Sequence, residues 1–291
     1  MDNQTLSYLE QVRHNLEYVD YDIICQSVAA LRDKFVPTAL IKKGWSIDRV
    51  RVNRNGEVFT NIKQVSYIHD KNILDNREAF GRANEPKQAV FYGAIESPAI
   101  KQPRIVAYLE TSELHKALDM YDNIQETFTV SRWRVMEDIE VIEMIFSDEA
   151  LKVNEYNKLS LQNQIKNYGH LQFADHYERQ GILFSNEFAR NDVKKGEDYK
   201  YKISVSYANY VWNNTPLKGI TYPSVQSNYL GQNIALLPEV VDKCLRLEMV
   251  GMFRFERKDG INLPIDSFKN ATDLGEDLMS FKWIDYVRAK Q

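Results

Sequence analysis

Arg49 and Arg51 stand at alternate positions in the run Trp45-Ser-Ile-Asp-Arg49-Val-Arg51. Further on come Phe80-Gly-Arg82-Ala-Asn84-Glu-Pro86, then Val90-Phe-Tyr92-Gly, then Ala107-Tyr-Leu-Glu110-Thr-Ser112. Two late stretches complete the set: Gly219-Ile-Thr-Tyr222-Pro-Ser224-Val and Gly231-Gln-Asn233-Ile-Ala-Leu236-Leu-Pro238. Arginines bind phosphate through a planar fork of donors that stays charged at any working pH. A tyrosine face packs on a flat cation. A carboxylate stabilises positive charge that develops in a transition state, as in the oxocarbenium-like step of glycoside hydrolysis. Ser and Asn give short, orientable hydrogen bonds. Each stretch also has a plain structural reading. Arg49 and Arg51 share one strand face and could simply face solvent, Asn84-Glu85-Pro86 is turn chemistry, and Glu110 on an amphipathic helix could be a surface residue.

Elements must bring these residues together. Leu6, Leu9, Val12, Leu16 and Val19 recur at helical spacing, and Ile23, Val28 and Leu31 extend the pattern, so residues 5–35 read as helix closed by Pro37. This helix could dock a partner or pack on its own domain. Ile47 to Asn53 alternates as a strand does, and Asn55-Gly56 is a turn signal after it. A short strand is predicted over Gln88–Ala94, a helix over Arg104–Leu118, and strands within Phe128–Ile145. Helices are predicted over Glu149–Tyr168 and, less regularly, over 169–188. The sharpest period of two runs from Tyr199 to Val211 and predicts a strand. Glu239–Phe255 reads as a helical turn leading into a strand, and Trp283 and Tyr286 suggest that the C-terminal segment docks. The fold class is therefore α+β, with no internal repeat or low-complexity linker.

The bulk properties narrow the function. The chain has 291 residues, a net charge of −4 and a pI of about 5.8. That balance argues against direct nucleic-acid binding through the overall field. Lys194 and Lys195 sit among Asp192, Glu197 and Asp198 and read as a solvated loop. Two distant cysteines, Cys25 and Cys244, fit a reducing cytoplasm better than a disulfide framework. The polar start Met1-Asp2-Asn3-Gln4 lacks a signal-peptide pattern, and no run of apolar residues is long enough for a membrane span. His14, His69, His115, His170 and His176 offer no tight ligand spacing; His170 and His176, six apart, fit a helix poorly, so no metal site is expected. Phosphate-cradling glycine loops and a GxSxG elbow are absent.

Together, the arginine strand, Gly81-Arg82-Ala-Asn84 with Val90-Phe-Tyr92, Glu110, and Tyr222-Pro-Ser224-Val with Gly231-Gln-Asn233-Ile-Ala-Leu236 resemble the RES domain, a family named for its Arg, Glu and Ser. The resemblance spans roughly residues 45–250, and Gly219–Pro238 is its most specific part. It implies an ADP-ribosyltransferase-like fold, with a central split β structure and flanking helices. It implies an NAD phosphorylase or glycohydrolase, in which nicotinamide leaves and phosphate or water attacks the anomeric carbon. NAD is then the substrate, inorganic phosphate a candidate co-substrate, and there is no prosthetic group.

By position, Arg49, Glu110 and Ser224 match the family's catalytic Arg, Glu and Ser. Arg82, Asn84, Tyr92 and Asn233 match its substrate-binding positions. Arg49 and Arg82 would hold phosphates, Tyr92 would pack on nicotinamide or its ribose, Glu110 would stabilise the cation, and Ser224 and Asn233 would orient ribose or phosphate. Glu96 is a rival for the Glu position, because Ser97–Arg104 looks like an insertion. Ala83 stands where the family often has an aromatic residue. The implied organisation is a helical extension over 1–40, an NAD-binding domain over 41–258 and a docked extension over 259–291. Many relatives are toxins of bacterial toxin–antitoxin pairs, so an antitoxin and a homo-oligomer are candidate partners. The alternatives are an ADP-ribosyltransferase acting on a macromolecule, and a non-catalytic protein that binds a partner through its N-terminal helix.

Overall fold

A computed structural model describes residues 2–32, 36–168, 175–272 and 280–285. The fold is mixed α+β around a sheet of eleven strands. In chain order these are β1 (Thr38–Ile41), β2 (Ser46–Val52), β3 (Phe91–Ile95), β4 (Ile124–Val135), β5 (Ile139–Glu143) and β6 (Gly219–Pro223). They continue with β7 (Gln232–Leu236), β8 (Leu245–Lys258), β9 (Ile261–Asn262), β10 (Asp266–Thr272) and β11 (Lys282–Asp285). The spatial order is β1-β5-β6-β7-β3-β2-β4-β8-β10-β11, with β9 paired to β8. Of these pairings, β5 with β6 is parallel and the others are antiparallel.

One seam matters for everything that follows. Strands β2 and β3 share a ladder reduced to a single pair, Asp48 opposite Ala94. On either side the pairing is ample: β2 runs beside β4 from Ser46 to Val52, and β3 beside β7 from Phe91 to Ile95. The sheet is continuous, where a split β structure was expected, and β2 and β3 are joined in it by this one pair. Gly93 belongs to this place, since a Cβ there would lie 2.6 Å from the Ile47 side chain.

Three apolar clusters hold the layers. Leu6, Leu9, Leu16, Ile24 and Val28 from the N-terminal helices bury against Phe184, Phe188, Tyr207 and Trp212, and against Ile220 and Ala235 of the sheet. These helices therefore pack on the body of the protein. The region is two helices, Asp2–Val12 and Tyr21–Ala30, rather than one. Asp20 caps the second by accepting from the Asp22 amide at 2.9 Å. A second cluster joins Ile47, Phe91, Trp133 and Val250 to Phe59, Val65 and Val241. A third packs Val106, Ala107 and Tyr108 of the helix Pro103–Thr111 on Val50, Phe128, Val130 and Phe253.

Two further expectations change. Lys202–Asn214 is a helix, where a strand was expected over Tyr199–Val211. Ile203, Val205, Tyr207, Ala208, Val211 and Trp212 are all buried, and so are Ser204 and Ser206. A helix buried nearly all round loses its one-sided stripe, so alternate apolar residues imitate a strand. The predicted Arg104–Leu118 helix breaks at Ser112, whose hydroxyl accepts from the His115 amide at 2.9 Å and caps a new short helix, Glu113–Lys116.

The C-terminal segment extends the sheet through β10 and β11. It docks where Trp283 Nε1 donates to Phe59 O at 2.9 Å and the Phe281 amide donates to Thr60 O at 2.5 Å. Tyr286 and His170 lie outside the described residues, as do 33–35 and 169–174. Among the described residues, no helix is long and apolar enough to cross a membrane.

Glu143, at the end of β5, is a buried carboxyl. Tyr156 Oη donates to it at 2.5 Å and Ser160 Oγ donates to its other oxygen, tying the helix Glu155–Tyr168 to the sheet. Burial raises its pKa despite the hydrogen bonds from Ser160, Tyr156 and Gln164, which pull the other way. A carboxyl raised in the fold holds its proton where the unfolded chain has lost it, so stability falls as pH rises from the unfolded carboxyl's range through the folded value. Glu143→Gln should remove this drop. Urea unfolding at pH 4.5 and at pH 7.5 checks it: relative to wild type, the variant gains stability at the higher pH. An unchanged difference between the two pH values would refute it.

Candidate active site

A side chain crosses the thinly paired seam between β2 and β3. Arg49 has the strand parity of Ile47, yet its guanidinium crosses to the neighbouring strand, where Nη1 donates to Tyr92 O at 2.7 Å. Its group lies 5.3 Å from the centre of the Phe91 ring. Its Nε is buried with no hydrogen-bond partner. Burial pushes this guanidinium down to about 10, with Arg51 and Arg77 adding like-charge repulsion. It stays charged at neutral pH, a buried cation with an unspent donor, and an anion beside it would relieve both costs.

On the other wall is Glu110, in the last turn of the helix Pro103–Thr111. Pro103 opens this helix at a position where its missing N–H costs nothing. The Asp48 carboxylate accepts from the Arg104 amide at 3.0 Å and so fixes the helix start against β2. Asp48 is itself buried and held by Arg132 through two bonds of 2.7 and 2.8 Å. Three donors then converge on Glu110 Oε1: Ser224 Oγ at 2.7 Å, Asn233 Nδ2 at 3.0 Å and the Gln226 amide at 3.4 Å. The Ser224 hydroxyl also accepts from the Ser227 amide at 3.3 Å, capping the 3-10 turn Val225–Ser227. Gly231 lets this turn approach the helix, since a Cβ there would lie 2.5 Å from Val106 and 2.9 Å from Ser227 Oγ.

Arg82 closes the third side. Its Nη1 donates to Phe188 O at 2.7 Å, and Nη1 and Nη2 both donate to Arg190 O at 3.2 Å. Its guanidinium lies 4.9 Å from the Tyr201 ring centre and 5.9 Å from that of Tyr222. Burial works against its charge, but Tyr201, Glu110, Tyr222 and Tyr92 outweigh it and the pKa moves up. Tyr92 Oη donates to Asn84 Oδ1 at 2.9 Å and accepts from the Ala83 amide at 2.9 Å. Burial first of all pushes Tyr92 up to about 12 and Tyr222 well above its ordinary value, so both rings are neutral at pH 7. A Cβ on Gly81 would sit 2.1 Å from Asn84 Oδ1 and 2.9 Å from Tyr92 Oη, so glycine is required for the Asn84–Tyr92 bond.

These groups surround a cleft of about 270 Å³. Among the described residues its lining holds the cations Arg49, Arg82, Lys116 and Arg190, and Glu110 as its one carboxylate. Tyr92, Tyr201 and Tyr222 supply ring surface, and Gln226 and Asn233 supply amides.

The structure brings together Arg49, Arg82, Tyr92, Glu110 and Asn233 on this lining. Ser224 and Asn84 lie behind it, both fully buried. Ser224 therefore orients Glu110, not the ligand directly as expected, because its hydroxyl is committed to the carboxylate and to the Ser227 amide. Asn84 likewise orients Tyr92. Glu96 is elsewhere: it is exposed, pairs with Lys101 at 2.9 Å and lines a different groove with Trp45 and Arg134. Sequence reasoning missed Arg190, Asn191, Tyr201 and Lys116, which line the cleft from segments read as loop, strand and helix end. Among the described residues no cluster of three or more His, Cys, Asp or Glu side chains could hold a metal ion. No family model matches this chain, and no curated protein matches it.

Proposed function

We propose that this chain cleaves the nicotinamide–ribose bond of NAD, with inorganic phosphate or water as the acceptor, and that it belongs with the RES enzymes it resembles. The observation that carries the reading is Glu110, the single carboxylate among the described residues of a cation-lined cleft, fixed through one oxygen by Ser224 and Asn233. A substrate suited to such a cleft is anionic at one end and becomes more cationic at the reacting carbon. NAD meets both conditions: its diphosphate would face the arginines, and its ribose gains oxocarbenium character as nicotinamide departs. The three bonds to Glu110 all fall on Oε1, which leaves Oε2 to face the anomeric centre. Held in place beforehand, the carboxylate stabilises that charge without reorganising during the reaction. Neutral Tyr92 and Tyr222 offer ring faces for the flat nicotinamide cation. The thin β2–β3 pairing and the helices packed on the sheet are the features that support an ADP-ribosyltransferase-like reading.

The test is NAD consumption by the purified protein, with and without inorganic phosphate, with products resolved by mass. Free nicotinamide with ADP-ribose phosphate establishes phosphorolysis, and plain ADP-ribose establishes hydrolysis. ADP-ribose attached to a macromolecule would replace the proposal with the transferase reading. No loss of NAD in either buffer, with the protein folded, would overturn it.

A further inference from the structure

Glu187 is a carboxylate with no solvent exposure, held between two arginines from distant parts of the chain. Arg13, just past the first N-terminal helix, donates Nε to Glu187 Oε1 at 2.7 Å. Arg190 donates Nη1 to Glu187 Oε2 at 3.0 Å and to Arg13 O at 3.1 Å. Its Nε and Nη2 donate to Asp192 at 3.0 and 2.9 Å. Arg190 thus lines the cleft with its charge matched by two carboxylates and most of its donors engaged. That makes it poorly suited to grip a ligand anion. What it offers the cleft is backbone: its carbonyl accepts both Nη atoms of Arg82, whose guanidinium is not tied to a carboxylate.

We propose that the Arg13–Glu187–Arg190 triad is a positioning device for Arg82, through which the N-terminal helix sets the affinity of the cleft for the anionic part of its ligand. The path is continuous. The helix end fixes Glu187, Glu187 fixes the Arg190 side chain, and the Arg190 carbonyl fixes the Arg82 fork. The proposal deepens the NAD reading and rests on it for the identity of the ligand. The same helix provides its own control. Glu10 pairs with Arg179 at 2.5 Å, but this pair is about two-fifths exposed and does not touch Arg82 or Arg190.

The test compares Arg13→Met, Arg13→Lys and Arg179→Met with wild type in the full chain. Three quantities are read: pyrophosphate affinity by calorimetry, amide hydrogen exchange over residues 188–192, and KM against kcat for NAD. Arg13→Met should weaken pyrophosphate binding and raise KM by about fivefold to tenfold, with kcat within about twofold, because ligand placement suffers and the carboxylate does not. Exchange at 188–192 should quicken by about tenfold as that segment opens locally. Arg13→Lys should recover most of the affinity, and Arg179→Met should leave all three readouts near wild type. Equal effects of Arg13→Met and Arg179→Met would overturn the proposal, since the helix would then act only by being docked. Wild-type behaviour of Arg13→Met would overturn it as well, as would a wild type with no affinity for pyrophosphate. A wild type that binds pyrophosphate but spares NAD would sink the NAD reading alone, and the calorimetry and exchange would still decide the triad.

Discussion

Glu110→Gln should lower the proposed NAD turnover by roughly 100- to 1,000-fold, the scale on which loss of one preorganised electrostatic group acts. The substitution keeps an acceptor for Ser224 Oγ and Asn233 Nδ2, so the local hydrogen bonds persist and only the charge is lost. ADP-ribose binding should therefore stay within about threefold of wild type, since uniform binding and transition-state stabilisation separate in kcat. Steady-state kinetics with calorimetry of ADP-ribose makes the measurement. Glu96→Gln is the counterpart and should turn over normally, because Glu96 lies in another groove beside Lys101. The reverse pattern, an active Glu110→Gln and a dead Glu96→Gln, would remove Glu110 from the mechanism.

Asp48→Ala has the largest expected effect on stability, a loss of about 3 kcal/mol, the low end for removing one partner of a buried ion pair, because the Arg132 left behind keeps some solvent contact. Two groups lose their acceptor at once: the Arg132 guanidinium and the Arg104 amide at the start of the Glu110 helix. The damage falls at the one point where β2 and β3 are still paired. Asp48→Asn should lose less, because one oxygen can still accept from Arg104. Urea unfolding of both variants checks the order; a loss below about 1 kcal/mol for Asp48→Ala would place it with exposed pairs and contradict the burial argument.

The fold class was legible in the sequence, and so were several wall residues of the site. Arg49 and Tyr92 lie on strands whose alternation or apolar run was plain, and Glu110 lies on a helix with a clear apolar face. What sequence could not separate was touching the cleft from holding something that touches it. Ser224 and Asn84 are the residue types that bind ligands, but their polar atoms are spent on Glu110 and Tyr92. Arg190 stands just before Asp192, Lys194 and Lys195, which read as a solvated loop, and its bond to the carbonyl of the distant Arg13 leaves no mark in the local pattern. The helix Lys202–Asn214 was misread for a related reason: burial on nearly every side is a tertiary fact with no local period.

The position of β7 has a consequence for synthesis of the chain. This strand, formed by residues 232–236, is inserted between β6, which just precedes it, and β3, which is complete well before. Until it leaves the ribosome, one edge of β3 has no partner, and Glu110 lacks the Asn233 amide. Pairings between such distant segments form slowly and late. A nascent chain therefore carries Arg49 and Arg82 long before Glu110 is anchored, and the assembled site waits for residues 232–236.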